Sequence, residues 1–244
     1  MKHYEVTVLK PGYATWVGPT QQHADGSITL VRGPTNVIVD TGGPWDRQAL
    51  LSALKNEGLN PRDIHYVVCT HGHSDHVGNV NLFPEATLIL SYDVCKGDLY
   101  TFHEFVHGQP YKIDDEVEVI ATPGHTKQDI SVIVSTREGT YAIVGDLFEC
   151  GEDLDNEDLW RSFSEFPDEQ VASRKKILEL ADLIVPGHGD AFEVPGKTAP
   201  KPPWRSHGEK SESRFANKIV WYAVVPLLVL VVGSLLVWLI TRAF

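Results

Sequence analysis

The segment that most constrains this chain is an apolar run over residues 64–69 that leads straight into Thr70-His71-Gly72-His73-Ser74-Asp75-His76. The run reads as a buried strand. Three imidazoles and a carboxylate then fall within six residues. Divalent transition metals favour this mixture of His nitrogen and carboxylate oxygen. In an extended segment, residues two apart point the same way, so His71 and His73 share a face. Asp75 and His76 leave as the chain turns into a helix. One loop of this kind can serve two neighbouring metal ions.

A dinuclear site needs further ligands, and three turns offer them. Thr122-Pro123-Gly124-His125 follows an apolar run at 117–121, Gly145-Asp146 follows 141–144, and Pro186-Gly187-His188-Gly189 follows 183–185. Ligands on Gly- and Pro-punctuated turns at strand ends suit a rigid, open-mouthed site. Further strand-like runs lie at 27–31, 36–40, 87–90 and 131–135, and Asp25-Gly26 reads as a hairpin turn. Residues 45–57 show helical spacing with Leu50, Leu51 and Leu54 on one face, and Gly58 is placed to cap that helix. Residues 168–181 read as a second helix. Many strands and few helices fit two sheets sandwiched between helices better than a doubly wound parallel sheet.

His71-x-His73-x-Asp75-His76, followed by His125, Asp146 and His188, resembles the metallo-β-lactamase superfamily over roughly residues 4–194. The resemblance implies an α+β fold, an αββα sandwich with its site at the mouth between the sheets. It implies that His71, His73 and His125 hold one metal. Asp75, His76 and His188 hold the second, and Asp146 bridges them. Asp40 orients a ligand imidazole from behind. The cofactors expected are two divalent metal ions. Zn2+ is the default, and Fe and Mn accept the same ligands. Two such ions share a bridging hydroxide as nucleophile. Asp75 is the expected catalytic residue, ordering or deprotonating the attacking water. No inserted domain of the RNA-clamping kind separates Asp146 from His188.

Composition bounds the substrate. With 42% hydrophobic and 22% charged residues, the chain is ordinary globular material. Three Cys are too few for a disulfide framework and favour a reducing compartment. Cys69 and Cys150 read as packing residues. Residues 1–196 carry a net charge of −17 and residues 197–244 a net +5. So acidic a domain disfavours non-specific nucleic-acid binding, although local recognition of a phosphodiester at a cationic metal site survives. Glu149, Glu152, Asp153, Asp155, Glu157 and Asp158 read as a solvated acidic loop. His103 and His107 read as a solvated or core-edge pair outside the ligand set.

The sequence divides into a hydrolase domain at 1–194, a basic Pro-containing linker at 195–218 and an apolar segment at 219–240. That last segment has 22 residues without a charge. As a helix it would span about 33 Å, enough for a hydrocarbon core of roughly 30 Å. The expectation is a tail-anchored single-pass protein, partnered with the lipid bilayer through 219–240 and with its catalytic domain facing the cytosol. For function, the motif segments resemble most the branch of the superfamily that processes the 3′ end of histone precursor RNA. That ranks a metal-dependent endoribonuclease first, with RNA as substrate. The alternative is a small-molecule hydrolase acting on an ester, thioester or lactone. A homodimer is compatible with either.

Overall fold

Uninterrupted runs of Val, Ile and Leu fit strands covered on both faces, and the computed structural model, which describes residues 3–197, arranges them so. The chain opens with β1 (Glu5–Lys10), a hairpin of β2 (Tyr13–Gly18) and β3 (Gln21–Asp25), then β4 (Ile28–Arg32) and β5 (Val37–Val39). Helix α1 (Arg47–Asn56) leads to β6 (Tyr66–Cys69), the single-turn α2 (Ser74–Val77), β7 (Thr87–Leu90), β8 (Asp93–Lys96) and β9 (Leu99–Thr101). The second half holds β10 (Tyr111–Lys112), β11 (Val117–Ala121), β12 (Ile130–Thr136), β13 (Gly139–Gly145), the short α3 (Asp158–Arg161), α4 (Pro167–Leu180), β14 (Leu183–Pro186) and β15 (Phe192–Glu193). Seven strands form one sheet in the order β1-β4-β5-β6-β7-β8-β9, and six form another in the order β10-β11-β12-β13-β14-β15. The β2–β3 hairpin stands as a separate pair.

Side-chain alternation sets the layers. Leu30, Ile38 and Val67 of the first sheet pack against Leu50 and Leu54 of α1. Their chain neighbours Val31, Val37, Val39 and Val68 point to the opposite face and are equally buried. In the second sheet Ile120, Ile133, Ala142, Val144 and Ile184 take Ile177 of α4. Val119, Val132, Val134, Ile143 and Val185 are buried on its other face. The two inner sets are dry only if they cover each other, which makes the described residues an α+β, αββα sandwich.

Local signals explain the helix ends. Asp46 accepts a hydrogen bond from Gly43 N at 2.9 Å, and Pro44 stands at the first position of the turn that leads into α1. Gly58, at φ 72°, closes α1 through its N–H to Lys55 O at 3.0 Å.

Two expectations are corrected. Among the described residues no helix is long and apolar enough to cross a membrane. The longest, α4, has 14 residues and spans only about 21 Å, and it carries charges. The described residues make up the sandwich, and the expected transmembrane helix is not among them. The 219–240 segment and all but the first residues of the linker lie outside the described residues. The bilayer partner expected through 219–240 lies outside the described residues with that segment, and the single-pass, cytosol-facing localisation finds no spanning helix among the described residues. The described residues all lie in one compact unit. Second, Asp25-Gly26 is not a hairpin turn: β3 pairs with β2, whereas β4 pairs with β1 and β5. Glycine is needed for close approach instead. A Cβ at Gly26 would lie 2.7 Å from Asp75 O and 2.9 Å from the His76 ring.

Candidate metal centre

The strands that carry the motif residues end at one edge of the sandwich. β5 and β6 run parallel, as do β13 and β14, and β11 runs with β13 because β12 is antiparallel to both. Asp40 follows β5, the 70–76 loop follows β6, His125 follows β11, Asp146 follows β13 and His188 follows β14. Here the two halves are stitched together. Ile130 N donates to Thr70 O at 3.0 Å, and Ser27 N donates to Gly187 O at 2.8 Å. A Cβ on Gly187 would fall 1.9 Å from Asp146 Oδ1, so only glycine lets these two loops close on each other.

All seven expected residues meet at this edge. His73 Nδ1 lies 3.0 Å from His71 Nε2 and 3.1 Å from His125 Nε2. Asp146 Oδ2 lies 3.5 Å from His71 Nε2 and 3.4 Å from His125 Nε2. Four ligands bound tetrahedrally at ~2.0–2.1 Å from one zinc stand about 3.3–3.4 Å apart, so this donor set fits a cation. A second group joins Asp75, His76 and His188. Asp75 Oδ2 is 3.9 Å from His76 Nε2 and 3.7 Å from His188 Nε2. Asp146 reaches this group too, with Oδ1 3.1 Å from His76 Nε2 and Oδ2 3.2 Å from His188 Nε2. His76 Nε2 and Asp146 Oδ1 are buried without a hydrogen-bond partner among the described residues. Orphaned polar atoms of this kind are costly unless a cation satisfies them.

The hydrogen bonds behind the cluster assign the imidazole tautomers. Asp40 accepts from Thr70 N at 2.7 Å, from the Thr70 hydroxyl at 2.9 Å and from His76 Nδ1 at 2.8 Å. Because the Thr70 hydroxyl donates to Asp40, its oxygen accepts from His71 Nδ1 at 3.1 Å. His188 Nδ1 donates to Asp25 O at 3.1 Å. At His71, His76 and His188 the Nε2 lone pair is thereby aimed into the cluster. Asp40 itself sits at φ 56°, a left-handed conformation that Asp tolerates at a cost of about 1–3 kcal/mol. That Asp40 governs two imidazoles, one of them through Thr70, is a finding of the structure.

Among the protein groups alone the electrostatics are strongly polarised. Burial would raise the Asp146 carboxyl, but His188, His76 and His71 hold it well below the usual carboxylate range. Burial and the neighbouring His76 push His71 well down. For His76, burial is outweighed by Asp146 and Asp40, and the imidazole is held well above its ordinary value. His188 is likewise raised to about 9, with Asp146 overcoming burial. The linkage has a definite sign. An imidazole raised from 6.5 to about 9 stabilises the metal-free fold below pH 6.5, and that contribution is lost as pH climbs through about 9. A cation must expel this proton. Apparent affinity for added Zn2+ is therefore expected to rise at least about tenfold per pH unit up to roughly pH 9. Chelator competition at several pH values measures this, and a flat profile contradicts it.

Residues outside the expected set line and brace the centre. Glu149 and Asp153 are not part of a solvated loop: the Glu149 side chain is 12% exposed and Asp153 is buried. Burial and the neighbouring Asp146 push the Glu149 carboxyl well up. Arg174 of α4 clamps this segment, donating to Leu147 O at 2.9 Å, Asp153 Oδ2 at 3.1 Å and Asp153 O at 3.1 Å. Gln170 donates to Asp146 O at 3.1 Å. His103 bonds Gln109 O at 2.9 Å, packs on Phe105 and joins no metal-type group among the described residues.

The fold and this His/Asp cluster are those of a metal-dependent hydrolase, and the chain belongs to the metallo-beta-lactamase superfamily, whose profile matches residues 24–110. It is 49% identical over 194 residues to Metallo-beta-lactamase domain-containing protein 1 of Xenopus laevis, covering 78% of this chain and 82% of that one. Among solved structures, a metallo-beta-lactamase-type protein of Thermotoga maritima superposes with a TM-score of 0.60 at 21% identity, covering 78% of this chain and 99% of that one. AidC, a dizinc quorum-quenching lactonase, superposes with a TM-score of 0.55 at 22% identity, covering 75% and 78%.

Proposed function

We propose that this protein is an endoribonuclease whose centre holds two divalent cations sharing Asp146. One observation carries the two-cation reading: a single buried carboxylate stands within 3.5 Å of both donor sets, with Oδ2 between His71, His125 and His188 and Oδ1 beside His76. His71, His73 and His125 hold one cation, and Asp75, His76 and His188 the other. When bound, such a pair supplies Lewis acidity and brings the pKa of water towards ~7. The chain's own groups do the rest. Asp40 and Thr70 keep the imidazoles aimed inwards. Asp75, part-buried and 3.7 Å from His188 Nε2, orients the attacking water and takes its proton. A donor set on each side of one carboxylate suits in-line displacement at phosphorus, where attacking and leaving oxygens both gain charge. The likeness of the motif segments to the histone-RNA-processing branch supports RNA.

A second reading, hydrolysis of a small ester, thioester or lactone, is favoured by the net charge of −17 over residues 1–196. That field repels a long polyanion and leaves a small neutral substrate unaffected. The full chain, loaded with zinc, should be assayed in parallel on structured RNA, acyl thioesters and lactones. Cleavage of RNA that falls at least about 100-fold in Asp75→Ala is expected. Turnover confined to the acyl substrates would reverse the order of the two readings.

A further inference from the structure

Glu149 lies in the wall of the centre and has no role so far. Its place is fixed by the backbone on both sides: Glu149 N donates to Asp153 Oδ2 at 2.7 Å, and His188 N donates to Glu149 O at 2.7 Å. Among the described residues no hydrogen-bond donor reaches its carboxylate. Two imidazole nitrogens stand near it, with Oε1 4.0 Å from His125 Nδ1 and Oε2 3.9 Å from His188 Nε2. His125 Nδ1 is itself buried without a partner. A carboxylate this enclosed, with so little to satisfy it, is costly unless it faces a positive charge.

The geometry shows where that charge belongs. Glu149, Asp146 and His188 each offer a ligand atom, and these atoms lie within 4.8 Å of one another. Glu149 Oε2 and Asp75 Oδ2 flank His188 Nε2 at nearly equal distances, 3.9 and 3.7 Å. Around an octahedral cation at ~2.1 Å, ligand atoms stand about 3.0 Å apart when adjacent and about 4.2 Å when opposite, so both carboxylates are within range. Resting on the two-cation reading above, we propose that Glu149 is a ligand of the second cation, making the two positions chemically unlike. The first is three imidazoles and one carboxylate, a tetrahedral set suited to zinc. The second gathers His76, His188, Asp75, Asp146 and Glu149, an oxygen-rich set suited to a harder six-coordinate ion such as Mn2+.

Binding of the metal alone tests this without any substrate. The full chain, stripped of metal, is titrated separately with Zn2+ and with Mn2+. Bound ions are counted by equilibrium dialysis and mass spectrometry, and Mn2+ is followed by its paramagnetic resonance. Wild type is expected to take up two ions. Glu149→Gln should keep the first equivalent and bind the second at least about 10- to 100-fold more weakly, with the larger loss for Mn2+. Glu149→Asp keeps the charge but is one methylene too short, and should lose the second equivalent as well. Glu152→Gln, on the exposed part of the same loop, should change neither. Unchanged binding of both ions by Glu149→Gln, equal loss of both, or full retention by Glu149→Asp would each overturn the assignment. Uptake of a single ion by wild type would instead defeat the two-cation reading itself, and this proposal with it.

Discussion

Asp146→Asn is expected to empty the centre of at least one ion and to lower hydrolysis by three orders of magnitude or more, about 4 kcal/mol of transition-state stabilisation. Among the described residues the carboxylate alone is within 3.5 Å of His71, His76, His125 and His188 at once. The isosteric amide carries no charge and turns an N–H2 towards imidazole lone pairs that must face a cation. The fold should survive, because the clamps on this segment, Gln170 to Asp146 O and Arg174 to Leu147 O, use backbone carbonyls. Metal content and kcat/KM of the purified variant are the readouts. Wild-type values in both would mean that Asp146 does not join the two donor sets.

Arg174→Ala should produce the largest loss of stability. The guanidinium is buried, sits 3.9 Å from the Phe148 ring centroid and 4.6 Å from that of Trp160, and pairs with Asp153 at 3.1 Å. Its removal leaves the buried Asp153 carboxylate without its counter-charge, with Glu149 N as its remaining backbone donor, and takes one donor each from Leu147 O and Asp153 O. Breaking one side of such a pair costs about 3–5 kcal/mol, or roughly 6–20 °C in melting temperature for a domain of this size. Replacing both partners, Arg174→Met with Asp153→Asn, should recover part of the loss, because the uncompensated charge is then gone. Thermal and urea unfolding measure this. A single variant within ~1 kcal/mol of wild type would show that the buried pair is not what holds the 146–153 segment in place.

Much of the site was legible because the chemistry and the geometry share one local signature. His125, Asp146 and His188 each stand in a Gly- or Pro-marked turn at the end of an apolar run, and each run became a strand ending at the same edge. The strands at 87–90 and 117–121 emerged with the bounds their apolar pattern suggested. What could not be read locally was burial. Glu149 and Asp153 stand among four other acids, and nothing nearby in sequence separates them from solvated neighbours. The residue that buries Asp153 is Arg174, 21 positions away. Gly26 failed for a related reason. A glycine that makes a turn and one that lets two loops touch look the same in sequence, and only the approach of Asp75 and His76 tells them apart. The β2–β3 hairpin was missed because its faces carry no clean alternation: its residues are mostly exposed or half-buried on both sides.

Direct counting of bound transition ions in the purified full chain, by elemental analysis alongside protein quantitation, decides whether the seven His and Asp side chains act as one centre. About two divalent ions per chain are expected, falling to about one when His76 and His188 are both changed to Ala. A metal-free wild-type protein that takes up no stoichiometric ion when zinc or manganese is supplied would contradict it.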